Sequence, residues 1–177
     1  MAPTVGDSLE RRWTGGSVPP ALPARGPVDG TLLMTVAMCY SGMDYEVVHT
    51  DDVPMTDLSA VDEIPPDLRI RALDDFFDTD ALNLKLWYFE PGEEIQYHAH
   101  AEQEELYYVL EGEFSLKLGR SGEETYVDAG PGTFWIAKPE VGHGHRNVGD
   151  EEGVVLAIGA PAVEDPGLDP HGLDDGD

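Results

Sequence analysis

Four of the six histidines in this 177-residue chain fall into two His-x-His pairs, His98/His100 and His143/His145. On an extended strand, side chains two residues apart leave from one face, so His98 and His100 in EEIQYHAH stand side by side, as ligands of a metal ion would. An isolated pair of this kind is more readily read as two half-exposed polar residues. Here the neighbours favour the metal reading. Glu105 opens the next apolar run five residues after His100, and the second pair follows a Gly-Pro-Gly turn and the apolar run TFWIA.

The same parity nominates further residues. Gln96 shares the expected face of His98 and His100, so it should point into their cavity and could hydrogen-bond a bound water or ligand. Tyr107 and Val109 share a face with Glu105, which makes Tyr107 a candidate for catalysis. If the segment around His143 is extended, His145 also faces the cavity and could act as a base or alternate ligand; the competing reading is a surface histidine beside Arg146. Glu93, Glu94, Glu102, Glu104 and Glu111 read as acidic surface, and Trp87, Phe89, Phe134 and Trp135 as barrel packing.

The elements that must carry these residues are short strands. From residue 82 onward the runs LNLKLWYFE, EEIQYHAH, ELYYVLE, EFSLKLG, ETYVDAG, TFWIAK and GVVLAIG alternate with PG, EG, SG and GPG punctuation, the pattern of an all-β sandwich or barrel. Before them, DLRIRAL (67–73) alternates as an edge strand would, and Asp74 to Asp78 reads as a turn or single helical turn.

The two histidine pairs sit in a wider pattern that resembles the cupin superfamily, specifically its small single-domain, type-2 members. Gly92, His98, His100, Glu105 and Gly112 match the first motif throughout: Gly, five residues, His-x-His, three or four residues, Glu, six residues, Gly. Gly132, His143 and Asn147 match the ends of the second. Lys138 stands at its proline position with Pro139 beside it, and Glu140 stands for its glycine, so that turn is expected to differ locally. The resemblance covers residues 82–159. It implies a double-stranded β-helix, or jelly-roll barrel, over 43–160, with His98, His100, Glu105 and His143 as four metal ligands.

Three imidazoles and one carboxylate form a site of intermediate softness. They suit a divalent Mn, Fe, Ni, Co, Cu or Zn ion without choosing among them, and a six-coordinate ion would keep positions open for water or substrate. The resemblance implies a small organic substrate in the barrel mouth and chemistry of the dioxygenase, isomerase or epimerase, or decarboxylase type. The alternative is a non-catalytic cupin that binds or senses a small ligand. The expected partner is a small molecule, with a homodimer left open.

Composition excludes other classes. Asp plus Glu total 36 against 10 Lys plus Arg, a formal charge of −26, so nucleic acid is not an expected partner. The carboxylates are interspersed with apolar residues at strand spacing, which assigns them to a folded surface, and charge of this density suits a salt-rich cytoplasm such as that of halophilic microbes. Cys39 cannot form an internal disulfide, and no apolar run reaches the length of a membrane span. Residues 1–42, rich in proline and glycine, read as a disordered or spurious leader with Met43 as an alternative start. Arg11-Arg12 and Val36 to Cys39 fit export signals poorly. Residues 161–177 read as an acidic solvated tail in which His171 has no partner in view. A prediction follows from the charge. Screening shortens the Debye length to roughly 3 Å at 1 M salt, so the melting temperature should rise steeply between dilute buffer and molar KCl; equal melting in both would contradict the salt-adapted reading.

Overall fold

A computed structural model describes residues 45–58, 68–165 and 167–173; the expectations for the leader lie outside these residues. Among the described residues the strands are β1 (Thr56–Asp57), β2 (Arg69–Ala72), β3 (Asn83–Phe89), β4 (Glu94–His98), β5 (Glu104–Glu111), β6 (Phe114–Gly119), β7 (Thr125–Ala129), β8 (Phe134–Ala137), β9 (Gly142–Asn147) and β10 (Gly153–Ala160). A five-residue helix, α1 (Leu73–Phe77), follows β2 and ends at Asp78 in the left-handed conformation. Two antiparallel sheets result, one in the order β1-β2-β3-β10-β5-β8 and one in the order β4-β9-β6-β7. No helix among the described residues is long and apolar enough to cross a membrane.

Alternation along each strand decides what the sheets enclose. On β5, Tyr107 and Val109 are buried while Leu110 is exposed. On β8, Trp135 and Ala137 turn inward, so Phe134 must turn outward; it is 64% exposed and stacks on Tyr108 with ring centroids 4.1 Å apart. Adjacent residues of one strand cannot both face the core, which corrects the expectation that Phe134 packs inside. The interior is Leu68, Phe89, Tyr107, Val109, Phe114, Leu116, Ala129, Trp135, Val155 and Ala157, with Trp87, Ile95 and Leu118 packed against it. The edge-strand expectation for 67–73 is also refined, since β2 lies between the two-residue β1 and β3. The strand β9, GHGHRN, has no apolar alternation to announce it, yet five of its six residues are buried.

The motif residues outside the expected ligand set do structural work. Gly112 adopts φ +88° against Gly153, where an added Cβ would lie 2.6 Å from the Gly153 Cα, so only glycine fits. Asn147 is fully buried. Its Nδ2 donates to the carbonyls of Phe89 (2.9 Å) and Glu151 (2.8 Å), and its Oδ1 accepts from the Gly149 amide (3.0 Å), tying the β9–β10 turn to the end of β3.

Despite its altered sequence, the turn before β9 keeps a tight geometry. The Val141 amide donates to the Lys138 carbonyl (3.1 Å), Pro139 takes the second position, and Glu140 takes the third at φ +63°. That is a type II turn, whose third position favours glycine. Glu140 therefore carries the strain that glycine would avoid, and Glu140→Gly should stabilise the protein by about 1 kcal/mol. Chemical denaturation measures this, and a loss of stability would show that the Glu140 side chain makes a compensating contribution.

Candidate metal centre

The two sheets bring His98, His100, Glu105 and His143 together, with one ligand atom of each within 4.8 Å of the others. These are the four residues expected as ligands. His98 ends β4, His100 lies two residues beyond it, Glu105 is the second residue of β5, and His143 is the second residue of β9. The Glu105 Oε2 lies 2.9 Å from the Nε2 of His143, 3.3 Å from that of His100 and 3.8 Å from that of His98.

The opposite ring nitrogens are all committed to backbone carbonyls. The Nδ1 of His98 meets the Gln96 carbonyl at 2.8 Å, that of His143 meets Val141 at 3.0 Å, and that of His100 meets Asp165 at 2.9 Å. A carbonyl only accepts, so each Nδ1 must carry the proton. In the neutral rings this leaves three Nε2 lone pairs converging on one another and on a carboxylate oxygen. Such an arrangement needs positive charge at its centre, either a proton or a metal ion.

Beside the cluster opens a cavity of about 1010 Å³. Trp87, Ile95 and Leu168 give it apolar walls, Lys85 and Asn83 line it from β3, and His98, His100, Glu105 and Tyr107 also line it. Lys85 Nζ is held 2.7 Å from Asp74, a buried carboxylate of α1. Residues 85–159 match the Cupin domain family. Solved structures agree over a wider span. The polyketide cyclase RemF of Streptomyces resistomycificus aligns with TM-score 0.55 and 25% identity over 69% of this chain and 82% of its own. A predicted oxalate decarboxylase of Thermotoga maritima aligns with TM-score 0.56 and 19% identity over 65% and 98%. A sugar phosphate isomerase from a cupin superfamily, from Silicibacter pomeroyi, aligns with TM-score 0.52 and 21% identity over 65% and 75%. The fold is a cupin fold. Among proteins of curated function, none matches the sequence.

Within this cupin site the electrostatics follow from burial and the shared carboxylate. Burial, reinforced by the neighbouring His143, lowers the His98 imidazole to about 4. Burial also acts against a charged His100, but the hydrogen bond and charge of Glu105 outweigh it and raise its pKa above the ordinary value. Burial would likewise raise Glu105; hydrogen bonds with His100, His143 and Tyr107 overcome this and hold the carboxyl well below its usual range. Tyr107 donates its hydroxyl to Glu105 Oε2, and burial followed by that negative charge pushes the phenol well above its usual value. Tyr107 is thus neutral and fixed, its ring stacked on Trp135 at 4.7 Å and 7°.

The other two residues nominated by parity, Gln96 and His145, differ from each other in their surroundings. A β-bulge interrupts the β4–β9 pairing between Ile95 and His98, so the two-residue alternation does not carry through. Ile95 packs on the core, while Gln96, although exposed, lines the large cavity with His98 and His100 and offers its carbonyl to the His98 Nδ1. His145 is neither at the surface nor a lining residue of the large cavity. It is 2% exposed and ringed by Phe89, Phe114, Tyr107 and Trp135 at centroid distances of 5.0 to 5.9 Å. Among the described residues, neither of its ring nitrogens, nor the Trp135 Nε1, has a hydrogen-bond partner. Burial, then the charges of His143 and His98, lower its pKa to about 3, so it is neutral. Sequence reasoning missed Asp165, whose only signal was its place in a segment of low apolar content.

A buried ring with unmet polar atoms costs stability that an apolar side chain of similar size does not. His145→Leu should therefore retain the metal stoichiometry and raise unfolding stability by about 1 kcal/mol or more. Urea denaturation with metal analysis checks this, and a marked loss of stability would show that the imidazole is hydrogen-bonded in solution.

Proposed function

We propose that this protein is a metal-dependent cupin enzyme that transforms a small organic molecule bound in the barrel mouth, with a divalent first-row ion held by His98, His100, Glu105 and His143. The observation that carries the reading is the convergence of three Nε2 lone pairs on one carboxylate oxygen, each histidine's proton being fixed on its far nitrogen. This donor set fits an ion of intermediate softness. When bound, the ion would supply Lewis acidity or oxygen activation, the chemistry behind dioxygenase, isomerase and decarboxylase reactions.

The chain's own residues supply the rest. The cavity is of the size that holds a small organic ligand. Trp87, Ile95 and Leu168 would exclude water from an apolar part of the substrate, while Lys85 and Asn83 offer hydrogen-bond donors on the β3 wall. Tyr107 keeps its proton and directs it at Glu105, which orients the carboxylate. The likeness to a polyketide cyclase, at 25% identity, supports a substrate that is a small, oxygenated organic molecule. The isomerase and decarboxylase likenesses, at lower identity, speak for the fold.

Glu105→Gln tests the proposal because it keeps size and removes the one anionic ligand. Affinity for a divalent ion should fall by at least ~10–100-fold, His98→Ala and His100→Ala should act likewise, and chelation should lower the melting temperature of the parent because the ion ties separate strands together. Turnover, sought by oxygen uptake and product analysis on hydroxylated aromatics, keto acids and thiols, should vanish with the ion and return with one metal. If Glu105→Gln bound metal as tightly as the parent and chelation changed neither melting nor ligand binding, the site would not be the one proposed. Metal and ligand binding without turnover would instead favour a binding role.

A further inference from the structure

We infer that Asp165 is a positioning residue of the metal site, holding from the far end of the chain the loop that joins His100 to Glu105. This rests on the reading of those residues as metal ligands. The carboxylate of Asp165 accepts three consecutive backbone N–H groups of the loop, Ala101 at 3.1 Å on Oδ1 and Glu102 and Gln103 at 2.7 and 2.9 Å on Oδ2. Its own carbonyl meets His100 Nδ1 at 2.9 Å. One residue thus fixes both the path of the loop and the tautomer of one ligand.

The surrounding contacts show why the loop needs this anchor. Strand β4 ends at His98, so His100 lies beyond the ladder that positions the first histidine. The β9 register that places His143 opposite His98 does not extend to His100. His100 is reached instead from outside both sheets. Leu168 exchanges two backbone hydrogen bonds with Ala99 (3.0 and 2.8 Å), and the Glu140 amide donates to the His100 carbonyl at 2.7 Å. Gln103, 4% exposed, donates from Nε2 to the Pro161 carbonyl at 2.8 Å. The segment expected as a solvated tail therefore supplies, in residues 161–165 and 167–173, part of the wall of the cavity and the hold on the loop. His171, expected to lack a partner, pairs with the Ser121 hydroxyl at 2.6 Å.

A carboxylate accepting three main-chain N–H groups is a charge-assisted anchor. Removing it frees the loop amides and lets the Asp165 carbonyl move away from His100, which relaxes the tautomer and direction of one ligand. Asp165→Ala should weaken Co(II) binding by about 10–100-fold, the range for lost partners of metal ligands, and should alter the visible ligand-field spectrum of the Co(II) protein. Asp165→Asn retains one acceptor oxygen and should fall between the variant and the parent; it also serves should the alanine variant not fold. In the metal-free protein at alkaline pH, nitrogen NMR of the His100 imidazole should report the Nδ1–H tautomer in the parent and a mixture in the variants. Unchanged Co(II) affinity and spectrum, even with a lower melting temperature, would overturn the inference and leave Asp165 a purely structural residue. A parent that bound no Co(II) would overturn the metal reading instead, and the tautomer measurement would then decide the role of Asp165 by itself: equal populations in parent and variants would reject it.

Discussion

Three imidazole nitrogens and a carboxylate oxygen held within 4.8 Å of one another form the constraint on which the rest of this structure depends. Without a cation between them their lone pairs repel, and each would turn away if it were free to do so. The protein prevents this by occupying the far side of each ring. His98 and His143 use the same local device, the carbonyl two residues earlier on the chain, from Gln96 and Val141. His100 takes its carbonyl from a residue 65 positions away. The local device needs no tertiary contact beyond the strand; the distant one makes the C-terminal segment part of the site.

Beneath the ligands the barrel interior is aromatic, which gives the carboxylate its rigidity. Glu105 receives the hydroxyl of Tyr107, Tyr107 stacks on Trp135, and both rings border His145. The chain of contacts from ligand to core leaves Tyr107 little freedom to rotate. It also leaves His145 in surroundings that suit an apolar residue, with the burial that keeps its imidazole uncharged.

How much of this could be read from the residues depends on how local each cause is. The four-residue cluster was legible because His98, His100, Glu105 and His143 lie at motif spacings, and the strands were legible wherever apolar and polar residues alternate. Strand β9 hid because its buried positions are glycine, histidine and asparagine. The exposure of Gln96 was not legible because a bulge is a property of the pairing between β4 and β9, invisible in either strand taken separately. Phe134 and Trp135 could not both be interior, a contradiction that strict parity would have exposed. Asp165 was beyond reach, since acidic residues abound and only the folded chain shows which one meets three amides.

The motif residues divide into those that cluster as an ion-binding set would and those that hold the barrel, and neither group decides what is bound. Gly112 and Asn147 close turns and tie strands, and the four ligands would hold an ion. Beyond the clustered residues, further walls of the cavity come from elsewhere: Asn83, Lys85 and Trp87 from β3, and Gly167, Leu168 and Asp169 from the C-terminal segment. Lys85 is unusual among them, a cation inside a protein of formal charge −26, balanced by Asp74 from the short helix after β2. Through this ion pair the segment between β2 and β3 reaches a residue of the cavity wall without touching the four clustered residues. Two chains with identical motifs could in this way differ in substrate entirely, and the place to look for that difference is the β2–β3 connection and the segment after β10.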